Sequence, residues 1–122
     1  MTTTAPAPAA TREALGPTLI RLQQEGEDII VFDADLGKST SARLFAAEFP
    51  ERFFTFGIAE QNMVSAAGGA ATLGSAVFIS TFSVFAEHAF DQLRMSVVQP
   101  KLNVNFVASH GGVSAGEAGA SA

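Results

Sequence analysis

The chain has 122 residues, of which 48% are hydrophobic and 16% charged, and its net charge is −5. This length predicts one domain with a single core, and an acidic chain with seven scattered Lys and Arg residues does not suit a nucleic-acid partner. The lack of cysteine excludes disulfides and thiolate chemistry, and two distant histidines give no recognisable metal-ligand cluster.

Residues 1–10 consist mainly of Thr, Ala and Pro and have little to bury, so we expect a disordered tail before a domain over 11–122. The tail lacks the basic start and apolar run of a secretory signal. No apolar run approaches the roughly 20 residues that a membrane helix needs. These features predict a cytoplasmic protein.

Helical spacing of apolar residues then alternates with short continuous apolar runs. Helices are predicted over 11–26, 41–49, 61–73 and 82–98, and strands over 28–33, 53–56, 76–80 and 104–109. Pro17 either marks the true start of the first helix or kinks it. The third helix consists mostly of small residues, which allow close packing against a neighbour. This alternation predicts an α/β fold with an open, mainly parallel sheet and helices on both faces.

Glu60 is the first candidate functional residue. It follows a strand and a sharp turn at Gly57, at the sheet edge where open α/β folds usually place their chemistry. A negative charge at the start of a helix also interacts favourably with the helix dipole and the free amides. From the residues alone, capping and catalysis therefore stay equal alternatives for Glu60.

Asp33 and Asp35 follow the first strand and could form the acidic pair of a phospho-accepting receiver domain. Such a domain also needs an aspartate at the end of a later strand, and neither Gly57 nor Ser109 provides one. Turn formation and helix capping explain the aspartates more simply.

Gly37, Lys38 and Ser39 look like the end of a phosphate-binding P-loop. That motif needs another glycine five positions before Gly37, where this chain has Phe32. A nucleoside triphosphate site is therefore not expected.

Phe82 and Phe85 share helical spacing with Ala89, so packing in the core is their default interpretation. His88 continues the Phe85 side of that helix. A lone histidine is more often structural than catalytic.

Four ordered segments resemble one protein family. They read DADLGKST, RFFTFGIAEQNMVSAAGGAATLG, STFSVFAEHAFDQLRMS and NVNFVASHGGVSAGEAGAS. Together they resemble the pyrimidine-binding domain of the transketolase family, particularly the C-terminal subunits of split transketolases, and are similar to deoxyxylulose-phosphate synthases. The resemblance implies the pyrimidine-domain type of thiamine-diphosphate-binding fold and the transfer of a two-carbon ketol unit between sugar phosphates.

The resemblance also implies cofactor-binding residues. Glu60 would be the catalytic glutamate that hydrogen-bonds a pyrimidine ring nitrogen of thiamine diphosphate and activates the cofactor. Phe82 and Phe85 would form a wall that stacks on the aminopyrimidine and excludes water. His88 would lie near the same ring, and Asp35 would shape the pyrimidine pocket and the subunit contact.

Arg12 and Ser39 match positions that hold the sugar phosphate. His110 matches a second catalytic residue, the histidine that touches the sugar oxygens. The chain departs from the family at Ala118, where an aspartate recognises a substrate hydroxyl, and the histidine that follows in the family is absent. We therefore expect a pyrimidine-binding domain that is incomplete at its C-terminus.

A separate diphosphate-binding subunit is the partner that the resemblance implies, because the family's GDG metal segment does not occur in this chain. That partner would hold the Mg or Ca ion and complete the thiamine-diphosphate site. We also expect self-association, and no activity from this chain alone. The alternative is a truncated, non-catalytic assembly or interaction domain of the same fold.

Overall fold

The computed structural model describes residues 9–112, which form a four-stranded, fully parallel sheet. Its strands are β1 (Ile29–Asp33), β2 (Phe53–Thr55), β3 (Ala76–Phe82) and β4 (Val104–Ser109), and their order across the sheet is β2-β1-β3-β4. The predicted α/β class with a parallel sheet is confirmed. The predictions for residues 1–8 and for Ala118 lie outside the described residues and stay predictions.

Helices cover both faces of the sheet, as the sequence predicts. On one face α1 (Leu15–Gln24) and α2 (Arg43–Glu48) pack on Ile29 and Val31 of β1. On the other face α3 (Glu60–Ala71) packs on Phe32 of β1 and on β3. The continuous apolar run of β1 is thus buried from both sides, which is the usual environment of a central parallel strand.

The first helix begins at Leu15, after a 3-10 turn over Thr11–Ala14. Pro17 therefore lies in the first turn of α1, where a backbone N–H has no partner within the helix. Leu19 is buried and its neighbours one turn away pack against the same cluster, in agreement with the predicted apolar stripe.

The prediction of one continuous helix over 82–98 is wrong. Strand β3 runs on to Phe82, and it is followed by α4 (Ser83–Ala86), a 3-10 turn, α5 (Phe90–Leu93) and a π-helical turn over Arg94–Val98. The strand continues because its last residues pair with β4, as far as Phe82 opposite Ser109. In the π-helical turn Val97 is buried.

Three residues join the amino-terminal ends of the strands. Asp28, just before β1, accepts hydrogen bonds from the Ser75 hydroxyl at 2.6 Å and from the Arg52 guanidinium. Arg52 directly precedes β2, and Ser75 directly precedes β3. These hydrogen bonds lower the pKa of Asp28 from its ordinary value, and the bond from Ser75 has the larger effect.

None of the helices in the described part of the chain is long and apolar enough to cross a membrane.

Candidate active site

The opposite, carboxyl edge of the sheet collects most of the predicted site residues. The four strands end there at Asp33, Thr55, Phe82 and Ser109. From β1 the chain reaches β2 on one side and later β3 on the other, so the strand order changes direction beside β1. Open parallel sheets bind ligands at such a point, outside the carboxyl ends of the strands.

Glu60 opens α3 and is 5% exposed. Its Oε2 lies 3.6 Å from Nδ1 of His88, whose side chain is 61% exposed. The Gln61 side chain donates a hydrogen bond of 2.9 Å to the His88 carbonyl and so joins α3 to the turn that carries this histidine. The Glu60 carboxyl group is thus buried, and the exposed His88 ring lies beside it.

Aromatic rings continue from this pair towards β4. The His88 ring lies 5.9 Å from the Phe85 ring, and Phe85 stacks on Phe82 with 5.7 Å between centroids and 10° between planes. Phe82 in turn lies 3.9 Å from the ring of His110. Five predicted residues, Glu60, His88, Phe85, Phe82 and His110, thus form one continuous row, which we call the aromatic row.

The far end of the aromatic row reaches a pocket of about 630 Å³, which we call the Arg12 pocket. It lies between the turn before α1 and the ends of β3 and β4, and both Arg12 and His110 line it. The Ser109 hydroxyl and Nδ1 of His110 are 2.8 Å apart, and the Ser83 hydroxyl donates to the Ser109 carbonyl at 3.0 Å. These hydrogen bonds orient the histidine ring at the wall of the pocket.

Two other predicted residues, Asp35 and Ser39, are exposed in the loop after β1. The neighbouring Thr40 lines the Arg12 pocket, whereas Ser39 is not among the lining residues. Asp35 is not among the lining residues either.

Asp33, by contrast, is buried, and burial raises the pKa of its carboxyl group. Its Oδ1 accepts a hydrogen bond from the Leu36 N–H at 3.1 Å. This is the turn-forming role that Asp favours in loops.

Backbone strain also marks this edge. Within residues 9–112, four non-glycine residues have positive φ, and two of them are the predicted site residues Asp35 (64°) and His110 (58°). Asp and His tolerate this left-handed conformation better than most residues. Such strain is often found at functional sites, where the surrounding structure holds it.

Sequence reasoning missed two buried hydroxyls of the pocket, those of Thr40 and Ser80. The signal for Ser80 was present, because a Ser-Thr pair ends an otherwise apolar strand.

The family of transketolase pyrimidine-binding domains matches residues 7–122. This chain belongs to that family. The family assignment made from the four sequence segments is confirmed.

Two relatives place the domain among transketolases. The chain is 52% identical over 111 residues to a putative transketolase C-terminal section of Methanocaldococcus jannaschii, covering 90% of this chain and 35% of the relative. A solved split-gene transketolase, described as an inactive β4 tetramer, is 54% identical with a TM-score of 0.72, over 81% of this chain and 33% of that one.

A third comparison extends to a longer enzyme. The crystal structure of transketolase from Campylobacter jejuni superposes with a TM-score of 0.79 at 30% identity, over 88% of this chain and 17% of that one. The transketolase pyrimidine-binding domain described here thus spans about a third or less of the length of each of these three proteins.

Membership of this family implies the use of thiamine diphosphate. The residues present fit the pyrimidine end of that cofactor, because a buried carboxyl group lies in one row with a stacked pair of phenylalanine rings. A flat heterocycle with ring nitrogens requires such a surface and such a hydrogen-bonding group. Over residues 9–112, no group of three or more His, Cys, Asp or Glu side chains is placed to hold a metal ion.

Proposed function

We propose that this chain supplies the pyrimidine-binding half of a thiamine-diphosphate site. Together with a diphosphate-binding partner subunit, it would transfer a two-carbon ketol unit between sugar phosphates. The observation that carries the proposal is the aromatic row, which leads from the buried Glu60 carboxyl to His110 and the Arg12 pocket. A cofactor ring along this row would lie between an acid and a substrate pocket.

Glu60 is the proposed catalytic acid, which hydrogen-bonds a ring nitrogen of the aminopyrimidine. Its burial strengthens that bond, because few water molecules compete for the carboxyl oxygens. When bound, thiamine diphosphate would supply an acidic carbon, which after loss of its proton would add to a ketose carbonyl. His88 lies beside Oε2 of Glu60, with its Nδ1 at 3.6 Å and most of its side chain exposed.

Phe82 and Phe85 are the proposed wall of the pyrimidine site. Their nearly parallel rings present a flat apolar surface and keep water from the acid. Asp35, on the strained loop after β1, is proposed to shape the same site and the contact with the partner subunit.

Sugar phosphates are the proposed substrates. The guanidinium of Arg12 takes part in no salt bridge within the described residues, so its charge is available for a phosphate group. His110 is proposed to touch the sugar oxygens, with its ring held by the Ser109 hydroxyl. Ser39 stays a proposed phosphate contact on the exposed loop beside Thr40.

The partner subunit is proposed to hold the Mg or Ca ion and the diphosphate group, and the cytoplasmic location stays a prediction. The proposal is tested by mixing the full chain with the diphosphate-binding subunit of a split transketolase, thiamine diphosphate and Mg²⁺. Ketol transfer by wild type is compared with transfer by Glu60→Gln. Because a positioned acid contributes about 10²- to 10⁴-fold to rate, we expect a loss of that size.

The matched control is Glu48→Gln, which removes the same charge from an exposed position at the end of α2. We expect this variant to keep wild-type activity. If Glu60→Gln were as active as Glu48→Gln in an active complex, the role proposed for Glu60 would be wrong.

The second candidate function is a non-catalytic assembly domain, and exposed apolar side chains favour it. Ile58 and Leu73 are 83% and 84% exposed, and Phe90 is also exposed. Isolated side chains of this kind are common, whereas a contiguous patch marks an interaction surface. Stable association with the diphosphate-binding subunit, or self-association, without ketol transfer under any tested condition would favour this candidate.

A further inference from the structure

Ser80 has a buried hydroxyl group with no hydrogen-bond partner within residues 9–112. The residue is 2% exposed and lies near the carboxyl end of β3, where it lines the Arg12 pocket. Burying a polar group without a partner costs free energy, so an orphan hydroxyl in a pocket points to a ligand that satisfies it.

The strand alternation fixes which side of the sheet this hydroxyl faces. Phe78 packs with the α1 and α2 cluster, and Ile79 packs with the α3 cluster. Ser80 therefore faces the α1 side and Thr81 the α3 side. Ser80 is flanked by Asp33 of β1 and Val107 of β4 in the sheet register, and it is among the residues that line the Arg12 pocket.

Two other hydroxyls of the pocket donate hydrogen bonds to backbone carbonyls. Thr40 donates to the Leu36 carbonyl at 3.2 Å, and Ser83 donates to the Ser109 carbonyl. Ser80 is thus a buried pocket hydroxyl whose donor is not used by the described residues.

We propose that Ser80 is a ligand-binding residue of the Arg12 pocket, where its hydroxyl donates a hydrogen bond to an oxygen of a bound sugar phosphate. Arg12 supplies the charge for the phosphate group of the same ligand, and His110 supplies a second polar contact from the pocket wall. This inference rests on the proposed function and adds a residue that the proposed function does not name. The oxygen belongs either to the phosphate group or to a sugar hydroxyl, and the experiment distinguishes the two.

The test uses the full chain and two variants, Ser80→Ala and Thr81→Val. Thr81 is the matched control, because its hydroxyl is also buried without a partner in the described part of the chain but faces α3 and does not line the pocket. Urea unfolding gives stability, and NMR titration with fructose 6-phosphate, inorganic phosphate and fructose gives affinity.

We expect both variants to unfold at the same urea concentration as wild type or a higher one, since each loses an unsatisfied buried hydroxyl. Ser80→Ala should bind fructose 6-phosphate about threefold to tenfold more weakly, as expected for one neutral hydrogen bond. Thr81→Val should bind as wild type does. Weaker binding of inorganic phosphate by Ser80→Ala would assign the contact to the phosphate group, and unchanged phosphate binding would assign it to a sugar hydroxyl.

Three results would overturn the proposal. One is equal affinity of wild type and Ser80→Ala for fructose 6-phosphate. Another is a lower urea midpoint for Ser80→Ala, because it would show that the hydroxyl already has a partner within the chain. The third is no binding by wild type up to about 10 mM, the range of very weak ligands; the Glu60 test in the two-subunit complex would be unaffected by that result.

Discussion

Gly68 and Gly69 are adjacent in α3, the helix that carries Glu60, but they face different surroundings. A Cβ atom on Gly68 would overlap the Ser96 carbonyl oxygen and lie 3.2 Å from the Ser96 Cβ, whereas a Cβ atom on Gly69 meets nothing within 4 Å. Both residues are inside the helix, so alanine improves helix propensity equally at the two positions. A pair of Gly→Ala variants therefore isolates the effect of packing.

The magnitudes follow from these contacts. Gly69→Ala should stabilise the fold by about 0.5–1 kcal/mol, because alanine loses less backbone entropy than glycine in a helix. Gly68→Ala gains the same amount but has to displace the backbone of the π-helical turn, and overpacking of this kind costs about 1–3 kcal/mol. The two variants should therefore differ by about 1–3 kcal/mol in free energy of unfolding, with Gly68→Ala the less stable.

Urea and thermal unfolding of the full chain, followed by circular dichroism, measure this difference. For a domain of this size, each kcal/mol corresponds to a change in Tm of about 4 °C. Equal stabilities for Gly68→Ala and Gly69→Ala would refute the close packing of α3 on the Arg94–Val98 turn.

The remaining predictions concern two aspartates with opposite pH effects. Hydrogen bonds from Ser75 and Arg52 hold the pKa of Asp28 below its ordinary 3.8. Asp28 therefore stabilises the fold above pH 3.8, and this stabilisation is lost as the pH falls through the lower pKa of the folded state. In Asp28→Asn this part of the fall in stability with decreasing pH should be absent. Urea midpoints of wild type and variant across a series of acidic pH values check this. Burial raises the pKa of Asp33, so ionisation weakens the fold as pH rises from 3.8 through the folded pKa. Asp33→Asn keeps an acceptor for the Leu36 N–H and should be more stable than wild type at neutral pH, and an equal or lower urea midpoint would contradict this.

Much of the fold follows from local patterns. The run Ile29–Phe32 predicts a strand buried on both faces, and Pro50 marks the end of the second helix, and both features are present in the structure. These signals involve neighbouring residues, so a linear sequence displays them directly. The order of the strands across the sheet was not predicted, because it depends on contacts between distant segments.

The segment 82–98 shows where local patterns fail. Ala89, Leu93 and Val97 are spaced by four, which suits both an α-helix and a helix widened by a π turn. Phe82 was assigned to the helix because of its spacing from Phe85, but pairing with Ser109 of β4 makes it a strand residue. A local pattern does not contain information about a pairing partner 27 residues away.

The sequence by itself determined the fold class, the family and the residue types of the candidate site. The order of the four segments led to the family, and the roles of Glu60, Phe82, Phe85 and His110 stay predictions that rest on it. Only the tertiary structure decided that Phe82 contacts His110 and that Ser80 has an unsatisfied hydroxyl in the pocket. Both facts depend on how β3 packs between β1, β4 and the helices, and side-chain contacts of that kind are set by long-range packing rather than by local sequence.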